Sequence, residues 1–212
     1  LTAGYTAIVP VKRYRRAKSR LALPSQQREG LAQAFALHVV TAALDAEQVA
    51  AVVLVGEGSA VARSADVIVI PDPGSLPGAV EAGRRWALDR RPHAPVAVVP
   101  ADLPALTSRR LDTALAAARG HQAAFWADHQ GSGTTLLTAS GPGKLVAAYG
   151  GASAARHREL GAIAMPGAWP GVRDDVDTLD DLERVGELGV GPGVARLIAT
   201  QGIAPAARFL PA

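Results

Sequence analysis

Apolar residues fall along this chain in two rhythms. Residues 5–11, 49–55, 67–70 and 96–99 are short, nearly unbroken apolar runs, bounded by turn or charged residues. Runs of that length and composition predict buried β-strands. Between them the apolar positions recur every three or four residues. In residues 26–43 the repeat is Leu31, Ala34, Phe35, His38, Val39 and Ala42, which predicts a helix with Pro24-Ser25 at its start. Further helices are predicted over 59–64, 76–90 and 107–119, the last capped by Thr107-Ser108, and Pro71-Asp72-Pro73-Gly74 reads as a turn. Strands that are apolar at nearly every position are covered on both faces. Their alternation with helices therefore predicts parallel pairing with right-handed crossovers.

The second half is less regular. Residues 123–127 and 134–138 predict strands on either side of Gln130-Gly131-Ser132-Gly133, and 153–160 a helix. Residues 172–176 predict a strand leading into a helix over 179–188. Gly191-Pro192 opens a last short helix. The segment 203–212 has two prolines and no periodicity, and is expected to be a loose tail. There is no internal repeat and no linker-like stretch. The expectation is one α/β domain over 1–212, a mixed, mostly parallel sheet sandwiched by helices.

Composition narrows the class. The 212 residues suffice for one such domain, and a hydrophobic content of 49% excludes a mostly disordered chain. No apolar run approaches the roughly 20 residues that span a bilayer, and the first residues lack a signal-peptide layout. With no cysteine, disulfides and thiolate metal sites are excluded. A cytoplasmic enzyme without a membrane partner is expected. The net charge is only +3, and aromatic residues make up 4%, too few for base-stacking platforms. No nucleic-acid partner is expected either, despite a pI near 9.7.

In open parallel sheets ligands bind at the carboxyl ends of the strands, and three chemically suggestive segments fall there. After the first strand, residues 12–20 hold six cations, among them Lys12, Lys18 and Arg20. They suit a polyphosphate cradle, or equally a solvated basic loop. No Walker A pattern is present. After the fourth strand comes Asp102, in Asp102-Leu103-Pro104. A carboxylate there can hold magnesium between substrate phosphates, or simply precede the next helix. The third segment is Asp174-Asp175-Val176-Asp177-Thr178. On a strand, Asp175 and Asp177 would share one face and would repel unless a cation lay between them. Asp177 or Thr178 could also cap the following helix.

Taken in order, these segments resemble the guanylyltransferases of deazaflavin coenzyme F-420 biosynthesis. The likeness rests on Ile8-Val9-Pro10-Val11-Lys12, Ala17-Lys18-Ser19-Arg20-Leu21, Asp102-Leu103-Pro104-Ala105-Leu106 and Asp175-Val176-Asp177-Thr178. It extends through Gly131-Ser132-Gly133-Thr134, Gly150-Gly151-Ala152-Ser153, Ala154-Ala155-Arg156-His157, Gly167-Ala168-Trp169-Pro170-Gly171 and Leu188-Gly189-Val190-Gly191-Pro192. Each motif is weak alone, and the ordered set is specific.

The resemblance implies a GT-A-like nucleotidyltransferase fold and transfer of GMP from GTP to a small phospho-acid. It is nearest the actinobacterial branch, whose acceptor is phosphoenolpyruvate, whereas the archaeal branch uses 2-phospho-L-lactate. It further implies acceptor binding by Thr134, Gly150 and Ser153, and metal binding by Asp102 and Asp175, with Asp177 a further candidate. Magnesium is the expected cofactor. Lys12, Lys18 and Arg20 would bind the triphosphate. The labile product would call for hand-over to a downstream transferase, and a homo-oligomer is compatible with the sequence. One motif departs: the family usually has an asparagine in a Leu-Asn-x-Ala segment on the nucleotide side. Here the segment is Ser75-Leu76-Pro77-Gly78-Ala79, which weakens the implication of strict guanine preference.

Two side chains stay open. His157, beside Arg156, could contact a phosphate or be an ordinary surface histidine. Trp169 reads as a hydrophobic anchor more readily than a base-stacking ring. Two other functions fit parts of the pattern. Asp175-Val176-Asp177 matches the D-x-D of GT-A glycosyltransferases. The basic loop alone would suit a non-catalytic nucleotide- or RNA-binding protein.

Overall fold

The computed structural model describes residues 4–11, 20–57 and 66–203. The strands are β1 (Tyr5–Val11), β2 (Val49–Gly56), β3 (Val67–Ile70), β4 (Val96–Val98), β5 (Ala123–Ala127), β6 (Thr134–Ala139) and β7 (Ile163–Ala164). The helices among the described residues are α1 (Ser25–Leu44), α2 (Leu76–Arg90), α3 (Ser108–Ala118), α4 (Ser153–Glu159), α5 (Leu179–Leu188) and α6 (Pro192–Thr200), with a 3-10 turn at Pro142–Lys144. All seven strands form one sheet in the order β3-β2-β1-β4-β6-β5-β7. β6 runs antiparallel to both its neighbours, and every other pairing is parallel.

The sheet carries helices on both faces, as its doubly buried strands require. Tyr5, Ala7, Val9 and Val11 of β1 pack with α1 and α3 residues such as Val39 and Leu111. Ile8, on the opposite face, packs with Val80 and Ala87 of α2. A third cluster joins Leu31 and Phe35 of α1 to Leu182 and Val185 of α5, Val194 and Ile198 of α6, and Ala105 and Val176 from two loops. At about 25 cal/mol per Å², each fully buried Leu, Val or Phe contributes about 1.5–3 kcal/mol. That third cluster ties the loops of Ala105 and Val176 to α1, α5 and α6.

The chain departs from the sequence expectation in three described places. Residues 172–176 form no strand. Their burial nevertheless alternates: Val172, Asp174 and Val176 are buried, while Arg173 and Asp175 are only partly covered. The period-two reading of faces holds, but the segment pairs with no strand among the described residues. The Val176 N–H bonds instead to the Asp102 carbonyl at 3.1 Å. Conversely, β7 pairs with β5 through only two residues, too few to show any period. Pro24 precedes α1 without a side-chain cap bond. The helix expected over 59–64 and most of the tail, from 204 on, lie outside the described residues. Among the described residues no helix is long and apolar enough to cross a membrane.

Candidate active site

The chain runs from β1 outward to β2 and β3 and then returns to place β4 on the other side of β1, which opens a crevice at the carboxyl ends of β1 and β4. Because β6 is antiparallel to β4, its first residue, Thr134, comes to this same end of the sheet. The resulting cleft has a volume of about 670 Å³. Arg20, Asp102, Thr134, Gly150, Ser153, Asp175 and Asp177 all line it. Lys12 and Lys18 lie outside the described residues.

The acidic wall is built from two loops tied together. After β4 the chain turns through Pro100-Ala101, and Leu103 and Leu106 are fully buried, which leaves Asp102 at the cleft. The bond from Val176 to the Asp102 carbonyl brings the second loop alongside. That loop is held at both ends. The buried Asp174 carboxylate accepts from the Gly171 N–H at 2.6 Å and pairs with Arg184. Thr178 caps α5 in a capping box with Asp181, so Thr178 rather than Asp177 is the cap. Burial would raise the Asp181 carboxyl. Hydrogen bonds from the Thr178 hydroxyl, Arg184 and the backbone N–H groups of Thr178 and Asp177 outweigh it and hold this group below the usual carboxylate range.

Asp175 and Asp177 therefore share the cleft side, although the loop is not a strand. Arg20 approaches Asp177 at 3.8 Å, and both side chains are well exposed. Such a pair contributes little stability, at most about 1 kcal/mol, but it places the end of the basic segment against the acidic wall. Among the described residues no three His, Asp or Glu side chains are close enough to enclose a metal ion. Two oxygen-donor carboxylates at an open cleft still fit magnesium, which takes one or two carboxylates and completes its shell with phosphate oxygens and water.

The opposite wall is made by the β5–β6 hairpin and the loop before α4. Asp128 accepts the backbone N–H groups of Ser132 and Gly133 at 2.9 and 2.8 Å. A Cβ at position 133 would come 2.4 Å from the Asp128 carboxylate, so a larger residue would push that carboxylate off its two backbone N–H groups. The Ala154 N–H bonds to the Ser132 carbonyl, joining hairpin and loop. Gly150 has φ +122° and Ala152 φ +54°. A Cβ at Gly150 would lie 3.0 Å from Nη2 of Arg156, whose Nε and Nη2 are buried without a hydrogen-bond partner among the described residues.

His157 is neither a surface histidine nor a lining residue. It is fully buried, packed edge-on to Tyr149 with ring centres 5.3 Å apart. The Ala148 N–H donates to its Nε2 at 2.9 Å, and its Nδ1 lies 2.8 Å from the Thr134 hydroxyl. The Ser153 hydroxyl is 3.2 Å from Thr134 Oγ1. Burial, aided by the Arg156 charge, pushes the His157 pKa down to about 4. Tyr149 lines the cleft, and its hydroxyl is buried without a hydrogen-bond partner among the described residues. Burial and the nearby Asp102 charge raise its pKa. Trp169 packs edge-on against Trp126 at 5.5 Å and donates to the Pro166 carbonyl, which gives it an anchoring role in the core.

Sequence reasoning did not single out Tyr149, Asp128, Asp181 or Arg184 as cleft residues. Only the Thr178-x-x-Asp181 spacing, a capping-box pattern, signalled any of them. In the segment that departs from the family pattern, Ser75 caps α2 by accepting the Gly78 N–H at 3.2 Å, and Leu76 lines the cleft.

Comparison with known proteins bears on this cleft. Residues 5–164 match the family described as "Guanylyl transferase CofC like". The chain is 44% identical over 207 residues to a phosphoenolpyruvate guanylyltransferase of Streptomyces scabiei, covering 92% of this chain and 96% of that one. It is 41% identical to the enzyme of the same description from Salinispora arenicola, covering 94% and 96%. Among solved structures, a protein described as a nucleotide-diphospho-sugar transferase from Desulfovibrio desulfuricans superposes with a TM-score of 0.72 at 14% identity over all of both chains. A 4-diphosphocytidyl-2C-methyl-D-erythritol synthase superposes at 0.55 and 15%, covering 87% of this chain and 98% of that one. At those identities the likeness is one of fold, the mixed nucleotidyltransferase sheet expected from the sequence.

Proposed function

Since the chain belongs to the CofC-like guanylyl transferase family, we propose that it transfers GMP from GTP to phosphoenolpyruvate, releasing pyrophosphate, in the biosynthesis of coenzyme F-420. The observation that carries this reading is the two-walled cleft. Asp102, Asp175 and Asp177, with Arg20 beside them, face the hydroxyl and glycine groups of Thr134, Ser153 and Gly150. The first wall suits a metal-bound triphosphate, the second a small anionic acceptor.

A phosphomonoester has a second pKa near ~6, so the acceptor phosphate is largely dianionic at neutral pH and needs no general base. One of its oxygens forms a bond to the α-phosphorus of GTP. The bond to the β-phosphate breaks, and pyrophosphate leaves with the electron pair. What the protein supplies is in-line alignment and charge neutralisation. Asp102 and Asp175, with Asp177 as a further ligand, would hold magnesium, which when bound neutralises the phosphate charge. Arg20, and Lys12 and Lys18 from the same segment, neutralise the triphosphate and the departing pyrophosphate. Thr134, Ser153 and the backbone at Gly150 seat the acceptor.

The product carries a labile phosphoanhydride, which favours direct hand-over to the enzyme that consumes it. The test is pyrophosphate release over a matrix of nucleoside triphosphates and phospho-acids, with the product identified by mass. Release with GTP and phosphoenolpyruvate, requiring magnesium, is expected. Turnover only with 2-phospho-L-lactate would correct the acceptor. No release with any phospho-acid, together with turnover of a nucleotide-sugar, would overturn the reading.

A further inference from the structure

The acceptor wall contains a one-way hydrogen-bond chain. The Ala148 N–H can only donate, so Nε2 of His157, 2.9 Å away, must present its lone pair. The proton of a neutral imidazole then sits on Nδ1, which donates to Thr134 Oγ1 at 2.8 Å. Thr134 and Ser153, 3.2 Å apart, share the remaining hydroxyl protons. With His157 already donating, Thr134 has no need to turn its own O–H inward. Whichever hydroxyl donates to the other, one O–H of the pair is left over, and both residues line the cleft. In the opposite tautomer Thr134 would donate to Nδ1 and the pair would turn a lone pair to the ligand instead. The fixed backbone N–H of Ala148 thus sets the polarity of the wall.

The geometry points to His157 as a positioning residue that, through its Nδ1–H, fixes the Thr134–Ser153 pair as a hydrogen-bond donor to an anionic oxygen of the phospho-acid. The inference rests on the acceptor site proposed above. His157 itself never reaches the cleft; it is fully buried behind Thr134. The Arg156 guanidinium lies behind Gly150 in the same wall, with Nε and Nη2 buried and without an acceptor among the described residues, so a positive charge backs the site. Donor and cation together select an oxygen-rich anion over a neutral sugar hydroxyl.

The experiment has two arms. In the substrate-free protein, labelled with 15N-histidine, the ring nitrogens of His157 should show the Nδ1–H tautomer at neutral pH. The Nε2–H tautomer would overturn the inference whatever the substrate proves to be. In kinetics, His157→Phe keeps a ring between Phe125 and Tyr149 but offers no donor. It should raise KM for phosphoenolpyruvate several-fold, because Thr134 is no longer held with its O–H turned to the cleft, with KM for GTP little changed. His157→Asn, whose amide places an N–H near the Nδ1 position, should recover most of that loss. Thr134→Val should match His157→Phe, and the double variant should be no worse than Thr134→Val alone. Equal rises in both KM values, no rescue by Asn, or additive losses would each overturn it. If the wild-type protein turns over no phospho-acid at all, the proposed function fails, and the tautomer alone then decides the orientation of Thr134.

Discussion

Lowering the pH should destabilise this protein through His157 by an amount that can be worked out in advance. The ring is fully buried, and its pKa falls from 6.5 to about 4 because burial, and then the Arg156 charge, disfavour the imidazolium. Between those two values the unfolded chain takes up a proton that the folded chain refuses. Stability is therefore complete above ~6.5 and is lost as the pH falls towards ~4. The full loss is on the order of 3 kcal/mol. By about pH 5 the two-state expression gives about 2 kcal/mol, roughly a 30-fold change in the folding equilibrium. The assay is urea unfolding at about pH 8 and about pH 5 for the wild type and His157→Phe. His38, partly buried with a lowered pKa, is present in both proteins and cancels in the comparison. The variant is expected to be less stable at pH 8, since Ala148 loses its acceptor, yet to lose about 2 kcal/mol less on acidification. Equal acid losses in the two proteins would refute the reasoning, because the buried ring would then not be the proton-linked group. Titration of the His157 ring by NMR gives the same answer directly.

Asp102→Asn and Asp175→Asn should each lower pyrophosphate release by more than about 100-fold, the upper range for groups that only support a metal ligand, with unchanged urea midpoints. Full activity in either variant would remove that carboxylate from the site. Val176→Ala deletes two buried methyl groups of the cluster that anchors the acidic loop. It should cost about 2 kcal/mol and reduce turnover as Asp175 and Asp177 lose their fixed position; an unchanged midpoint would mean the loop is held by Asp174 and Arg184 alone. Arg20→Ala should raise KM for GTP about 10-fold and leave stability within about 1 kcal/mol, since its contact with Asp177 is exposed. A rise in the acceptor KM instead would move Arg20 to the other wall.

The elements were legible where pattern and burial coincide. The predicted bounds of α2 and α5 agree with the structure because their apolar repeats and caps, Ser75 and Thr178, are local features. The helices α3 and α4 and the hairpin strands β5 and β6 agree to within a residue or two at their ends. Residues 172–176 show the limit of such reading. Their alternating burial is a property of the segment, but a strand needs a partner at ladder distance, and only the folded chain determines that the Val176 N–H meets Asp102 rather than a sheet edge. β7 fails from the other side, since a two-residue strand exists only by virtue of β5 beside it.

The acids, the basic segment, and Thr134, Gly150 and Ser153 could be singled out from their residue types and from a family likeness. What no spacing encodes is the order β3-β2-β1-β4-β6-β5-β7, and with it the reversal of β6 that brings Thr134 to the carboxyl end of β4. Nor could sequence tell that His157 is buried with its two nitrogens committed in opposite senses. The sequence by itself determined a doubly covered α/β sheet, the chemical types at the ends of its strands, and an acidic segment with alternating faces. Tertiary structure alone decided which of those ends meet, which acids are drawn to one cleft, and which way the protons of the acceptor wall point. Periodicity is written in nearest neighbours along the chain, whereas charge pairing, burial and hydrogen-bond direction depend on groups tens to more than a hundred residues apart that only the fold brings within a few ångströms.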